Sequence, residues 1–294
     1  MSQHDAAQQS ASRFAPIVLC ADDYGLAPGL GAAIRELIER GRLSATSCMT
    51  VSPFWPREAR LLGPLRGVAD VGLHLTLTDQ APLGPMPKLA PSGRLPPLGR
   101  LLALALAGRL DRMEIAAEAT RQYDAFEAAI GGPPDHLDGH HHVHQLPIVR
   151  EVVLDLFRRR MPAHAWLRYC DEPLLSVARV GVAAPRAALI SLLGRGMRGS
   201  RLPGNRGFRG VRSFSARRSY AALFRRFLAG LDAGGLVMCH PAIVDDALRR
   251  ADSVADRREE EFRFLRGEDA LAALAAAGLR VARFSERPTS RKPA

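Results

Sequence analysis

Short apolar runs alternate with amphipathic helical patterns along almost the whole chain. Residues 16–21 form a nearly continuous apolar run of the kind that is buried on both faces of a sheet, and residues 30–40 carry apolar side chains at helical spacing before Gly41. This alternation predicts a parallel sheet with helices packed around it. At 294 residues the chain has the size of a single α/β barrel, so we predict one domain over residues 15–285.

The remaining segments continue the same alternation. Strands are predicted at residues 44–51, 68–78, 165–169, 235–239 and 279–284, with one more leading into Gly139, and helices at residues 111–130 and 147–158. Residues 82–97 are rich in proline and predict a long loop, and loops of that length are usually functional or mobile. Residues 1–14 and 286–294 are expected to be disordered tails.

Two adjacent carboxylates follow the first predicted strand. Asp22 and Asp23 come directly after the apolar run, where they would be costly to bury unless a metal ion or another cation neutralised them. Neighbouring residues at a strand end point in different directions, so one carboxylate can bind a metal ion while the other stays free as a base. The pair could instead cap the following helix.

A histidine lies on the polar face of the third predicted strand. In the sequence GLHLTLT, the three leucines alternate with His74, Thr76 and Thr78, and the polar face of such a strand is expected to look into the barrel. A single histidine in this setting is also compatible with an ordinary core residue, so His74 needs partners before it indicates a site.

Those partners are supplied by a histidine-rich segment, HLDGHHHVH, which has five histidines in nine residues. In an extended conformation, one side of it would carry His136, Asp138, His140, His142 and His144. Its composition indicates a metal site rather than a chance histidine-rich loop. Asp138 is well placed to orient an imidazole ligand.

Two further strand ends carry polar groups. His240 follows the apolar run at residues 235–239 and precedes Pro241. It fits either a structural or a catalytic role. Arg168 lies near the end of the strand predicted at residues 165–169, where it could steady a carboxylate at the site or form an ordinary surface salt bridge.

The motifs ADDYG, GLHLTLT, LDGHHHVH and MCHPA occur in this order at predicted strand ends. In this the chain resembles the YdjC-like carbohydrate deacetylases, the chitooligosaccharide deacetylase family, which includes a hopanoid-associated branch. The resemblance extends to a C-terminal helix with Arg258 and Glu261, and so covers nearly the whole chain. It implies a distorted (β/α) TIM-like barrel fold and an enzyme that removes an N-acetyl group from a sugar.

The resemblance also implies roles for individual residues. It assigns a divalent metal ion to Asp23, His74 and His140, with Asp22 as the catalytic base and His240 as the acid. Supporting or substrate-binding residues are expected to be Tyr24, Asp138, His142 and Arg168. Two imidazoles favour zinc-like ions, whereas few protein ligands are compatible with magnesium. The resemblance favours Mg²⁺, with Zn²⁺ as the alternative.

Positive charge is concentrated in one segment. The chain carries a net charge of +11, but residues 173–231 contain twelve arginines and no acidic residue, and the rest has 29 basic against 30 acidic residues. This segment resembles an insertion, and its arginines and apolar patches suit contact with an anionic membrane and a lipid-linked sugar. Nucleic acid is not expected as a partner, and a homodimer stays open.

Two other functions are compatible with these features. Sites of Asp and His residues also serve metal-dependent phosphoester hydrolysis, in which the basic segment would hold a phosphate. A module that only binds membranes or nucleic acids would explain the arginines but not the histidines. No run of 18 apolar residues is present, and the four cysteines are widely spaced, so we expect reduced thiols in a cytoplasmic protein.

Overall fold

A computed structural model describes residues 14–172, 177, 183–213, 218–252 and 254–284. Its centre is a curled, entirely parallel sheet with the strand order β5-β4-β3-β2-β1-β7-β6, and β8 pairs with the first residues of β1. The strands are β1 (Ala15–Tyr24), β2 (Ala45–Cys48), β3 (Asp70–Leu75), β4 (His136–Gly139), β5 (Trp166–Leu167), β6 (Phe208–Arg209), β7 (Leu236–Cys239) and β8 (Leu279–Val281). The predicted α/β barrel in a single domain is confirmed.

Helices follow most of these strands and cover the outside of the sheet. Within the described residues they are α1 (Pro28–Glu39), α2 (Trp55–Leu62), α3 (Leu98–Leu106), α4 (Arg112–Ile130), α5 (Val149–Arg160), α6 (Ala184–Arg198), α7 (Tyr220–Leu228), α8 (Asp246–Ala251), α9 (Ala255–Arg266) and α10 (Glu268–Ala276). None of these helices is long and apolar enough to span a bilayer. The tails expected at 1–14 and 286–294 lie, apart from Phe14, outside the described residues.

The first strand separates two cores. Leu19 and Ala21 belong to the large core between the sheet and the helices, whereas Val18 and Cys20 belong to a smaller core inside the barrel. Both faces are buried, which is why the sequence there is continuously apolar. Above the small interior core lies a layer of buried polar side chains, and this layer carries the site.

Among the described residues, no continuous hydrogen-bond ladder joins β5 to β6. An isolated bridge joins Leu167 of β5 to Gly204, which precedes β6. Asn205 fills the rest of the opening, because its side chain accepts from the backbone N–H of Tyr169 (2.8 Å) and donates to the Tyr169 carbonyl (2.7 Å). This gap accounts for the distortion that the resemblance implied.

The described part of the arginine-rich segment contributes elements to the barrel. Residues 173–231 supply α6, α7 and the edge strand β6, which pairs with β7. Three of its twelve arginines pair with acidic residues outside the segment: Arg198 with Asp171, Arg209 with Glu172 and Arg212 with Glu261. Part of the segment's charge is therefore balanced inside the fold.

Candidate metal and catalytic site

The carboxyl ends of β1, β3, β4 and β7 surround a cavity of about 320 Å³. Polar strand-end residues gather there because all the strands run in the same direction. Among the residues that line it are Asp22, Asp23, His74, His140, His142 and His240.

Asp23, His74 and His140 come together in this cavity. The Asp23 Oδ1 atom lies 2.8 Å from His140 Nδ1 and 3.4 Å from His74 Nε2, and one ligand atom from each residue falls within 4.8 Å of the other two. The second oxygen of Asp23 accepts a hydrogen bond from Arg258 (2.8 Å). Burial would raise the pKa of Asp23, but His140 and Arg258 hold it well below its usual value. The three donors fit a divalent metal ion.

Asp138 orients the imidazole of His74. The pairing of β3 with β4 sets His74 opposite Asp138, and the Asp138 Oδ1 atom accepts a hydrogen bond from His74 Nδ1 (2.6 Å). His74 Nε2 is therefore the nitrogen left to face Asp23, as in metal sites where a carboxylate fixes the histidine tautomer. Burial opposes protonation of His74, yet Asp138, Asp23 and Asp22 outweigh it and raise its pKa to about 10.

Asp22 is held in place, contrary to the expectation of a free carboxylate. Arg168 donates to both of its oxygens, at 2.7 and 2.6 Å, and also lies 2.7 Å from Asp138. One buried guanidinium thus fixes Asp22 and the carboxylate that orients His74. Burial raises the pKa of Asp22 above its usual value, although Arg168 opposes that shift.

A serine under the cavity organises the same layer. The Ser47 hydroxyl donates to Asp138 Oδ2 (2.6 Å) and lies 3.0 Å from His136 Nε2. The single proton of the hydroxyl is used in the bond to Asp138, so the bond to His136 requires that His136 donate through Nε2. Burial lowers the pKa of His136 to about 4, which keeps this imidazole neutral. His136 also stacks on Trp166, with ring centroids 4.2 Å apart.

The histidine-rich segment is extended only as far as Gly139, so its five alternate polar residues do not share one side. The chain forms a 3₁₀ turn over His140–Gln145, with positive φ at His141 (54°) and His142 (61°). His140, His141 and His142 consequently line the cavity. His144 turns away, and its Nε2 atom bonds the Arg168 carbonyl (3.1 Å).

The other expected residues divide between the cavity and the core. His240 lines the cavity, and its backbone N–H donates to Glu261 (2.6 Å). Burial and the nearby charge of Arg258 lower the pKa of His240 well below its usual value. Tyr24 does not line the cavity, which leaves the supporting one of the two roles predicted for it. Its hydroxyl donates to the Glu58 carbonyl (2.9 Å) and accepts from Arg35 (2.7 Å), so it is a core residue.

Sequence reasoning missed the role of Arg258 beside Asp23. The spacing of Arg258, Phe262 and Leu265 places all three on the buried side of α9. That spacing could have signalled a buried charge. It could not have identified the partner, which is 235 residues away in sequence.

Comparison with known proteins adds the family. Residues 16–276 match the family model described as YdjC-like protein. This chain belongs to the YdjC-like family. Two relatives described as chitooligosaccharide deacetylases, from Yersinia pestis (strain Pestoides F) and Enterobacter sp. (strain 638), are 35% and 34% identical over 144 residues. The match covers 49% of this chain and 56% of each relative, so it spans little more than half of their length.

One solved structure has the same fold. A protein from Enterococcus faecalis V583, described as a candidate for cellobiose-phosphate cleavage, aligns with a TM-score of 0.71 at 19% identity and covers 92% of this chain and 98% of that chain. At this identity the likeness shows the fold alone.

Proposed function

We propose that this YdjC-like protein is a metal-dependent hydrolase that removes the N-acetyl group from an N-acetylated sugar. The observation that carries the proposal is the grouping of Asp23, His74 and His140 beside the anchored carboxylate of Asp22 in one cavity. Family membership and the names of the relatives support the same chemistry.

Asp23, His74 and His140 would hold the metal ion. When bound, a divalent cation polarises a carbonyl oxygen and makes a water molecule more acidic. We propose Mg²⁺ for this ion, with Zn²⁺ as the alternative that two imidazole ligands favour. Elemental analysis of protein purified without a histidine tag distinguishes them.

Asp22 and His240 divide the proton transfers between them. We assign Asp22 as the base that takes a proton from water, because Arg168 fixes both of its oxygens and burial raises its pKa above its usual value. His240 lies on another wall of the cavity and is assigned as the acid for the departing sugar nitrogen. Its low pKa makes the protonated imidazole a strong acid that is scarce at neutral pH.

The sugar is either a soluble chitooligosaccharide or a lipid-linked amino sugar, and the lipid-linked case would place the protein at a cytoplasmic membrane surface. On α6, the exposed residues Arg186, Leu189, Leu192 and Arg195 form one basic and apolar face, and Arg186 also lines the cavity. Such a face suits an anionic bilayer. We expect salt-sensitive co-sedimentation with anionic liposomes that Leu192→Glu weakens, and no binding at low salt would return the substrate to a soluble sugar.

The decisive assay compares acetate and phosphate release from N-acetylated chitooligosaccharides, acetylated glycolipids and phosphorylated sugars. The deacetylase proposal requires acetate release that a chelator abolishes and added metal restores. Metal-dependent phosphate release without acetate release would replace it with phosphoester hydrolysis.

A further inference from the structure

Four of the described non-glycine residues that line the cavity have positive φ, namely Asp23, Asp79, His141 and His142. Asp79 lies in the segment after β3, and His141 lies in the turn after β4; both have positive φ, at 58° and 54°. Non-glycine residues adopt this conformation at a cost of about 1–3 kcal/mol, and they do so most often at functional sites. Both line the cavity, and their side chains face each other, with Asp79 Oδ2 3.9 Å from His141 Nδ1.

The proline-rich loop holds the segment with Asp79 in place. The backbone N–H of Asp79 donates to the Pro96 carbonyl (3.3 Å), and the N–H of Leu95 donates to the Gln80 carbonyl (2.8 Å). Farther along, Leu83 N–H donates to Glu118 of α4 (2.9 Å). The loop is therefore packed against the barrel, and the segment with Asp79 is a built part of the cavity wall.

The polar atoms of the pair remain available to a ligand. The Asp79 side chain is 42% exposed, and within the described residues its carboxylate accepts no hydrogen bond. Thr78 Oγ1 engages His141 Nδ1 (2.9 Å), which leaves Nε2 of that ring. Over the described ranges, Asp79 and His141 belong to no group of three metal-ligating side chains, so the pair suits a neutral polar ligand better than a second cation.

We propose that Asp79 and His141 bind hydroxyl groups of the sugar ring that carries the acetamido group, and so determine which sugars the site accepts. This inference rests on the proposed deacetylase function. A carboxylate accepts hydrogen bonds from hydroxyls, and the second nitrogen of an imidazole can donate or accept one. Both residues line the same cavity as Asp22 and the proposed metal ligands, so one sugar could engage both sets of residues.

The test uses Asp79→Gly and Asp79→Asn, because Gly and Asn tolerate positive φ and keep the backbone in place. Binding of N-acetylated chitobiose and acetate release from it are measured alongside its analogues lacking single ring hydroxyls. We expect Asp79→Gly to lower kcat/KM about 10- to 100-fold on the full substrate, as for a lost hydrogen bond to a charged group. On the analogue lacking the hydroxyl that Asp79 binds, the same variant should cause little further loss.

Asp232→Asn serves as the matched control, since Asp232 is exposed and does not line the cavity. Metal content must be equal in all variants, which shows that the ligands are intact. An active wild type with Asp79→Gly unchanged in binding and kcat/KM on every substrate would overturn this inference while leaving the deacetylase proposal standing. A wild type that neither binds nor hydrolyses any of these sugars would count against both.

Discussion

At the scale of single residues, the site is a set of buried charges that compensate one another. Arg168 pairs with both Asp22 and Asp138, while Arg258 lies against Asp23. Because unpaired buried charges are costly, each carboxylate depends on its partner for its orientation and its protonation state. The direct partners of the candidate metal group therefore set its chemistry as much as the three ligands do.

Replacing Asp22 with asparagine separates catalysis from metal binding. Asp22→Asn keeps the shape of the side chain but removes the basic oxygen, so we expect acetate release to fall by about 10²- to 10⁴-fold. Metal content should stay at the wild-type level because Asp22 is not a proposed ligand. Near-normal turnover on every accepted substrate would remove Asp22 from the role of base.

Metal binding should release a proton from His74. Its pKa of about 10 means that His74 is protonated at neutral pH in the metal-free protein, and a proton must leave before Nε2 can bind a cation. We expect metal affinity to rise by roughly tenfold per pH unit between pH 6 and 8. Calorimetry in buffers of different ionisation enthalpy measures the proton, and a pH-independent affinity with no released proton would contradict this assignment.

At the scale of secondary-structure elements, local patterns explain much of the fold but not its closure. The apolar run of β1 and the helical spacing of α1 were readable because each buries a regular face. The two-residue strand β6 could not be predicted, since it contains the charged residue Arg209. Its acidic partner Glu172 is distant in the sequence. The turn after Gly139 was also missed, because His141 and His142 adopt positive φ values that non-glycine residues seldom take.

The candidate site was predictable to a similar extent. Asp22, Asp23, His74 and the histidine-rich segment stood out as polar residues at strand ends. The hydrogen bond between Asp138 and His74 depends on the register of β3 with β4, and the sequence alone does not specify that register. The same holds for the contact of Arg258 with Asp23 across the fold.

Gly72 tests how tightly β3 and β4 fit together. A Cβ atom at Gly72 would lie 2.3 Å from the His136 ring, and that ring is stacked on Trp166 and cannot move freely. We expect Gly72→Ala to reduce the free energy of unfolding by about 1–3 kcal/mol, as for overpacking in a core.

Gly99→Ala is the control for this substitution. Gly99 lies in α3, and a Cβ atom there would meet nothing within 4 Å, so this variant should be as stable as the wild type or slightly more so. Urea unfolding measures both. Equal stability of Gly72→Ala and Gly99→Ala would contradict the close approach of His136 to β3.

At the scale of the whole molecule, the site joins distant parts of the chain. Asp23 comes from β1, His74 from β3, His140 from the turn after β4 and Arg258 from α9. A metal ion bound to the folded protein should therefore stabilise the entire barrel. At a free metal concentration of 100 times Kd, the gain is about 2.7 kcal/mol.

Thermal unfolding measures this coupling. The chelator-treated wild type should unfold at a lower temperature than the metal-loaded wild type, whereas His140→Gln, which removes one proposed ligand, should show little metal-dependent shift. A metal-dependent shift of equal size in both proteins would place the ion elsewhere.

The most direct test of metal-dependent deacetylation is acetate release by untagged, chelator-treated protein titrated with Mg²⁺ or Zn²⁺. We predict that activity is absent without metal and returns when one ion is bound per chain. In Asp23→Asn, the same metal concentration should give neither metal binding nor activity. Full acetate release by protein shown to contain no metal would contradict the account.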